Sequence, residues 1–530
     1  MLPKLKLAKY SLLVMFATLI NAVALASPTI PAEIINFNYS LLGFEVKVAD
    51  LELFAKQGQI TKNLNFYLKR ISPQQRKKLQ QFLTQSYEVD PVLVYRYLRT
   101  SVGIKLFERI GNIIQIPHDI NGFYGLRASV VQAAASAEGI NFIDFLKSFP
   151  TDIKLNLPEL IKLVEQVSDS EKDTAKFIAS IQEQTLESKA IGKNSPDFSS
   201  DGQFTVTKQT REFYDHQRDR NLVSDLYLPQ GTTSKISVIV VSNGLGAKRD
   251  RFKELAHHLA SYGFAVVILD HPGSDRKREK AFRNWLYQEN FDATEFIDRP
   301  LDISFILDEL AQTQQVEFPQ RLNLKQVGIF GYSLGGTTAM SLAGAQINFE
   351  QLEQDCAQPL NLLNISILYQ CRALELPRET RSLKDERIKA AFLFVPFGKS
   401  LFGEAELAKI DIPTIWQVVD KDFLTSLLDE QIPAFNALTN RDRYLVISEK
   451  LPHANTTASK EQSSSQAETS RITKNYQNIL SLVFFESYVA ENADYPSYLS
   501  SEYIQSISQE PYNLHMLYDS QINNMNTKID

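Results

Sequence analysis

Ser333 stands in Gly331-Tyr332-Ser333-Leu334-Gly335-Gly336, a G-x-S-x-G pattern whose flanks give it chemical meaning. The preceding Val327-Gly328-Ile329-Phe330 suits a buried strand, and the following Thr337-Thr338-Ala339-Met340-Ser341-Leu342-Ala343 suits a helix. A serine on such a strand-to-helix turn is forced into a strained backbone. The strain is tolerated where glycines two residues to either side remove bulk, and the hydroxyl is then presented at the sheet edge. The helix that follows aims its N-terminal N–H groups, with their partial positive charge, at any anion formed beside the serine. These are the requirements of a nucleophile that attacks a carbonyl.

A serine hydroxyl is a weak nucleophile until a base takes its proton and a carboxylate holds that base in the right tautomer. Between Ser333 and His515 the sequence holds one histidine, His453, in Lys450-Leu451-Pro452-His453-Ala454-Asn455 directly after the last expected strand. His515 falls in a tail read as irregular. For the acid, the loop after the strand at 414–419 offers Asp420 and Asp422. Asp422 is preferred because the run Asp-Phe-Leu-Thr before a helix-like 427–435 sets it in the loop, and Asp420 is the alternative; Asp429 and Glu430 read as helix surface. A tetrahedral intermediate needs N–H donors, and Leu334 and Leu245 are the expected ones. Leu245 lies in Asn243-Gly244-Leu245-Gly246-Ala247, a turn that matches neither the dinucleotide nor the phosphate-loop pattern. His271, in Asp270-His271-Pro272-Gly273-Ser274-Asp275, precedes the serine, against the order serine, acid, histidine, and reads as loop structure or pocket rim. His118, His216, His257 and His258 read as structural or surface residues.

The elements that must carry these groups alternate. Short stretches at 204–206, 211–214 and 223–228 read as strands, followed by a β-branched run at 236–241, a helix at 251–261, a strand at 265–269 and a helix at 301–311. After the serine, strands are expected at 390–395, 414–419 and 444–447. Strands alternating with helices imply a mostly parallel sheet covered on both faces. Two connections, 272–299 and 346–386, are longer than folding requires and are expected as lid insertions, at least one of them covering the serine. Residues 203–490 make up this domain, with a mobile stretch at 454–470, a helix at 472–490 and a tail at 491–530.

Residues 27–188 read instead as a mainly helical domain, after a possible edge strand at 44–48. Ser72-Pro73-Gln74-Gln75 and Asp90-Pro91 are helix starts, Gly58 is a helix stop, and further helical periods begin at Pro158 and Ser170. Residues 189–202, rich in Gly, Ser, Asp and Pro, read as the linker.

Lys4, Lys6 and Lys9 precede an apolar run that closes with Ala24-Leu25-Ala26, so residues 1–26 are read as a signal peptide and the mature chain as periplasmic or secreted. The formal charge of −6 becomes −9 without that leader's three lysines, which argues against a nucleic-acid partner. Cys356 and Cys371, the two cysteines, are expected to form one disulfide, which for a loop of about 15 residues stabilises by ~3 kcal/mol. With no second Cys or His pair at ligand spacing, no metal is expected, nor an organic cofactor.

Taken together, the Gly-Leu-Gly-Ala turn at 244–247, the serine elbow and the Asp-His-Pro-Gly loop resemble the α/β-hydrolase superfamily, in its platelet-activating-factor acetylhydrolase and dienelactone-hydrolase-like branch. The helical part, with Asn121-Gly122-Phe123-Tyr124-Gly125-Leu126-Arg127-Ala128, is similar to an uncharacterised domain that precedes such hydrolases in bacterial exported proteins. Asn243 stands where the acetylhydrolases often have histidine, and the strand after the elbow ends Phe394-Val395-Pro396 without their carboxylate. The resemblance therefore implies a serine carboxylic-ester hydrolase, on short-acyl lipids or other esters, with contact with membrane lipid at most peripheral. A non-catalytic envelope-binding protein and an acyltransferase using the same residues are the alternatives.

Overall fold

A computed structural model describes residues 31–186, 196–232, 234–317, 322–379, 381–453 and 464–518. The signal-peptide reading of 1–26, residues 189–195 of the expected linker and the stretch 454–463 lie outside the described residues. The chain divides into two compact units, Met1–Val164 and Glu165–Asp530.

In the first unit, helices such as Val48–Gln57, Pro73–Thr84 and Phe123–Ala134 accompany a small sheet that the sequence reading largely missed. Its strands are β1 (Ile34–Tyr39), β2 (Leu42–Lys47), β3 (Ile114–Ile116), β4 (Ile120–Asn121) and β5 (Ile153–Leu155), in the order β2-β1-β5-β3-β4. Two- and three-residue strands leave no periodicity to read, whereas the caps were legible. Ser72 accepts from Gln75 N–H and Gln75 Oε1 accepts from Ser72 N–H at 2.8 Å, closing the capping box. The two helical periods expected from Pro158 and Ser170 are one helix, α1 (Leu157–Leu186). Ser168-Asp169-Ser170 resembles a helix start, but nothing there breaks the backbone ladder, and no proline or glycine follows Pro158 before residue 186.

The second unit is built on nine strands: β6 (Val206–Asp215), β7 (Arg220–Pro229), β8 (Ile236–Ser242), β9 (Ala265–Leu269), β10 (Leu322–Tyr332), β11 (Ile388–Phe394), β12 (Thr414–Lys421), β13 (Arg443–Pro452) and β14 (Leu514–Tyr518). Their order is β14-β13-β12-β11-β10-β8-β9-β7-β6, parallel from β13 through β9 and antiparallel at both margins. Of the stretches read at 204–206 and 211–214, Val206 and the whole second stretch belong to one edge strand, β6, continuous through the polar Thr207-Lys208-Gln209, while residues 204–205 precede it. The tail read as irregular supplies β14.

Helices α2 (Lys253–Ser261), α3 (Arg276–Arg283), α4 (Glu295–Glu317), α5 (Leu334–Leu342) and α6 (Ser464–Tyr488) complete the layers. One buried cluster joins Val238, Val240 and Ile329 of the sheet to Phe177 and Ile181 of α1, Ile303 and Leu307 of α4 and Met340 of α5. The opposite cluster joins Ile239, Val241 and Phe330 to Leu255 and Leu259 of α2 and to Tyr476 and Phe484 of α6. Alternate residues of β8 thus bury into opposite layers, which is why that strand reads as an unbroken β-branched run. Cys356 and Cys371 are disulfide-bonded. Of the two long insertions, the first carries α3 and the start of α4, and the second carries helices Phe349–Cys356 and Ser366–Gln370.

Candidate active site

Parallel strands deliver their C-terminal ends to one edge of the sheet, and the loops there can bring together residues far apart in sequence. Ser333 leaves β10, the fifth of the nine strands, at φ +52° and ψ −118°. An L-residue occupies that region only under constraint. Here Ser333 N–H donates to Phe394 O at 2.9 Å and Gly336 N–H donates to Ser333 O at 2.8 Å. A Cβ at Gly335 would lie 1.9 Å from the carbonyl oxygen of Ser242, so only glycine allows α5 to start against the end of β8.

His453, at the end of β13, sets Nε2 3.0 Å from Ser333 Oγ and Nδ1 2.7 Å from Asp422 Oδ2. An ionised carboxylate only accepts, so Nδ1 carries the proton and Nε2 is left to accept from the serine hydroxyl. Asp422 follows β12, and its remaining lone pairs are filled by neutral donors: Leu424 N–H and Thr425 N–H, each at 2.8 Å, and the Thr425 hydroxyl at 2.5 Å. Asp420 instead accepts from Lys450 N–H. Tyr332 OH donates to His453 O at 3.0 Å, and burial raises the phenol's pKa, keeping it a donor.

Leu334 opens α5, so its N–H is among those without an intrahelical acceptor. In the turn after β8, Gly246 N–H donates to Ser274 O at 2.8 Å and Ala247 N–H to Gly244 O at 3.4 Å. A Cβ at Gly244 would lie 3.3 Å from Ser333 Cβ, which places Leu245 one residue from the closest approach of this turn to the serine. Beyond Asp422 a cavity of about 160 Å³ is lined by Val167, Thr174 and Ile178 of α1 and by Leu363, Phe423 and Leu427. The second insertion packs against the acid loop, with Ser366 N–H donating to Leu424 O at 2.8 Å.

His515 sits on β14 and pairs with the Glu449 carboxylate. His258 is buried on α2, where desolvation lowers its pKa to about 4. His118 is exposed.

His271 lies in the loop after β9, as the loop reading has it, but buried and not at a pocket rim. It is 2% exposed and forms a second Ser–His–Asp chain, with Nε2 3.2 Å from Ser242 Oγ and Nδ1 3.0 Å from Asp302 Oδ2. Asp302 also accepts from Arg218 at 2.8 Å and from Arg220 at 2.7 and 2.8 Å. Burial and the neighbouring Arg299 guanidinium push the His271 ring down to about 3. Burial alone would raise Asp302, but the hydrogen bonds and charges of His271 and Arg220 outweigh it and hold the carboxyl below its ordinary range. Arg299 donates to Asn243 O and thereby fastens the turn that carries Leu245. The sequence held a partial signal for Thr425, three residues after Asp422 as in an Asx-type turn. It held none for Arg299 or Asp302, which lie on a helix far from Ser242 in the chain.

A mostly parallel sheet with helices on both faces, and a serine on the turn between its central strand and the next helix, define the α/β-hydrolase fold. Residues 237–346, from β8 past the elbow and α5, match the family model described as alpha/beta hydrolase fold. Residues 31–156, in the first unit, match the model described as alpha/beta hydrolase of unknown function (DUF1400). Both matches support hydrolase activity in general, and neither extends to the acetylhydrolase and dienelactone-hydrolase-like branch. No curated protein matches the chain.

Proposed function

We propose that this chain is a serine carboxylic-ester hydrolase with Ser333, His453 and Asp422 as its catalytic triad. His453 Nε2 takes the hydroxyl proton as Ser333 Oγ bonds to the ester carbonyl carbon, and the Leu334 and Leu245 N–H groups stabilise the oxyanion. The same proton passes to the leaving alkoxide, which departs as the alcohol and leaves an acyl-enzyme. Water then gives a proton to His453, attacks the acyl carbon and releases the acid, and Ser333 recovers its proton. Asp422, supported by Thr425, stabilises the imidazolium at each transfer.

The observation that carries this reading is the unbroken hydrogen-bond chain from Ser333 Oγ through His453 to Asp422, starting on a backbone strained at φ +52°. The resemblance to the acetylhydrolase branch favours short-acyl lipid esters as substrates. The leader-like residues 1–26, with the Cys356–Cys371 bond, favour export and are tested by sequencing the N-terminus of the processed protein. Activity is tested by turnover of p-nitrophenyl acetate, butyrate and octanoate. Turnover that survives in Ser333→Ala removes the proposal, and the acyl-length profile of the wild type sizes the acyl pocket.

A further inference from the structure

The segment after β9 combines two properties that seldom adjoin by chance. The Asp275 side chain caps α3, accepting from Arg278 N–H at 2.8 Å, and the helix turns Arg278 and Phe282 inward while Arg276, Lys277, Lys280 and Arg283 are exposed. Its sequence RKREKAFR holds five basic residues and one acid within a chain of net charge −6. That acid, Glu279, pairs with Arg276 at 2.6 Å and lies against Gly246, where a Cβ would come within 2.8 Å of its carboxylate. Gly246 holds φ +69°, a conformation that favours glycine. The basic helix is thereby fixed beside the turn that carries Leu245.

Directly after α3, Trp285, Leu286 and Tyr287 are 58, 71 and 46% exposed. Trp285 N–H donates to Phe282 O at 3.1 Å and Leu286 N–H to Ala281 O at 3.0 Å, and Trp285 adopts φ +67°. The backbone is thus ordered, with Trp285 and Leu286 more than half exposed and the half-exposed Tyr287 ring stacked on the Arg278 guanidinium, 3.4 Å from its centroid. Isolated exposed apolar residues are ordinary, but consecutive ones beside a cationic helix face form a patch. A basic face next to exposed Trp, Leu and Tyr is the composition that adsorbs to an anionic interface: aromatic rings enter the headgroup layer while lysines pair with phosphates.

We propose that α3 and the turn after it dock on the surface of an anionic lipid bilayer, through Trp285, Leu286 and Tyr287 with Lys277 and Lys280. The occupant follows from charge complementarity, since a net-acidic protein concentrates cations here and adjoins them to apolar side chains. The inference rests on the ester-hydrolase reading only for what docking achieves, which is to bring lipid-borne esters to the oxyanion turn. The contact itself does not require Ser333.

The test uses the full chain carrying Ser333→Ala, so that no lipid is consumed, sedimented with phosphatidylglycerol or phosphatidylcholine vesicles at low and high salt. Binding is expected to favour phosphatidylglycerol and to weaken with salt. Replacing Trp285, Leu286 and Tyr287 together by alanine is expected to weaken it at least about 30-fold. Lys277→Gln with Lys280→Gln should cost roughly 5-fold per lysine at low salt. With Ser333 present, both variants should turn over soluble p-nitrophenyl acetate like the wild type, which also shows that they fold. Equal binding to the two lipids, or unaltered binding of the triple variant, overturns the proposal. So does loss of binding on replacing Leu41 and Leu42, an exposed apolar pair in the first unit, at 98 and 63%. Self-association that the triple variant abolishes, without vesicle binding, would assign the patch to a second copy and equally overturn it. Vesicle binding that holds while Ser333→Ala leaves ester turnover intact would remove the hydrolase reading alone.

Discussion

Two Ser–His–Asp hydrogen-bond chains run through the second unit, Ser333–His453–Asp422 at the sheet edge and Ser242–His271–Asp302 beside the turn that carries Leu245. Their distances differ by only 0.2–0.3 Å at each link. What separates them is everything else. Ser333 sits on a strained elbow next to N–H groups open at a helix start, whereas Ser242 ends an ordinary strand and is 0% exposed. Asp422 is held by neutral donors, so its charge remains available to an imidazolium. Asp302 already neutralises Arg218 and Arg220, and a proton on His271 would lie in a buried site beside Arg299. In the proposed mechanism the first histidine cycles its proton, whereas burial and Arg299 hold the second neutral, as a strut. A triad is therefore recognised by its access and electrostatics, not by hydrogen-bond geometry alone.

The comparison breaks most sharply at the serines. Ser333→Ala should lower kcat for p-nitrophenyl esters by roughly 10⁵- to 10⁶-fold, as at other triad serines, and Ser242→Ala by less than about 10-fold. If Ser242→Ala matches Ser333→Ala with its fold intact, the assignment of the two chains is inverted. At the acids, Asp422→Asn should cost about 10⁴-fold in kcat with little change in the urea midpoint. Asp302→Asn should act chiefly on stability, by about 3–5 kcal/mol, because it leaves buried guanidinium groups uncompensated; denaturant titration of the two variants separates these outcomes.

The next effect is a pH dependence. His271 has its folded pKa near 3, below the unfolded value near 6.5, so its neutral form contributes stability fully above pH 6.5, and this is lost as pH falls toward 3. The loss is on the order of a few kcal/mol. Urea midpoints measured from pH 7 to pH 4 should fall, and fall less steeply in His271→Gln; parallel curves would remove the strut role. Smallest is the effect of Arg299→Met, which frees the Asn243 carbonyl. We expect kcat to drop about 10- to 100-fold with KM nearly unchanged, since in the proposed mechanism the turn that carries Leu245 acts on the transition state.

How far the site was legible follows from how local its signals are. Ser333 declared itself through a hexapeptide and its flanks, and Asp422 and His453 through their positions just past predicted strands, because strand ends and glycine turns leave marks within a few residues. The buried chain left none. Ser242, His271, Arg299 and Asp302 meet only after three elements pack, and an aspartate or arginine on α4 reads from sequence as helix surface. β14 escaped for a related reason: Leu514-His515-Met516-Leu517-Tyr518 is short, and its pairing is dictated by β13, about seventy residues earlier in the chain. The division of the chain was harder still, since the linker reading at 189–202 rested on composition. The compact units part near Val164, inside a helix whose continuity no capping signal reveals.

That helix bears on how the two units are inherited. Phe177 and Ile181 of α1 are buried in the core of the nine-stranded sheet, although they precede the composition-rich stretch at which a gene would most simply be cut and rejoined. A recombinant that joined a different leading unit at residue 197 would discard both side chains. It would open two large vacancies in the hydrolase core, each costing about 2–5 kcal/mol. Most single domains cannot absorb such a loss. A join that keeps the core intact must therefore leave the second half of α1 with the nine-stranded sheet, so the usable boundary is set by two buried side chains and not by the stretch whose composition reads as a linker.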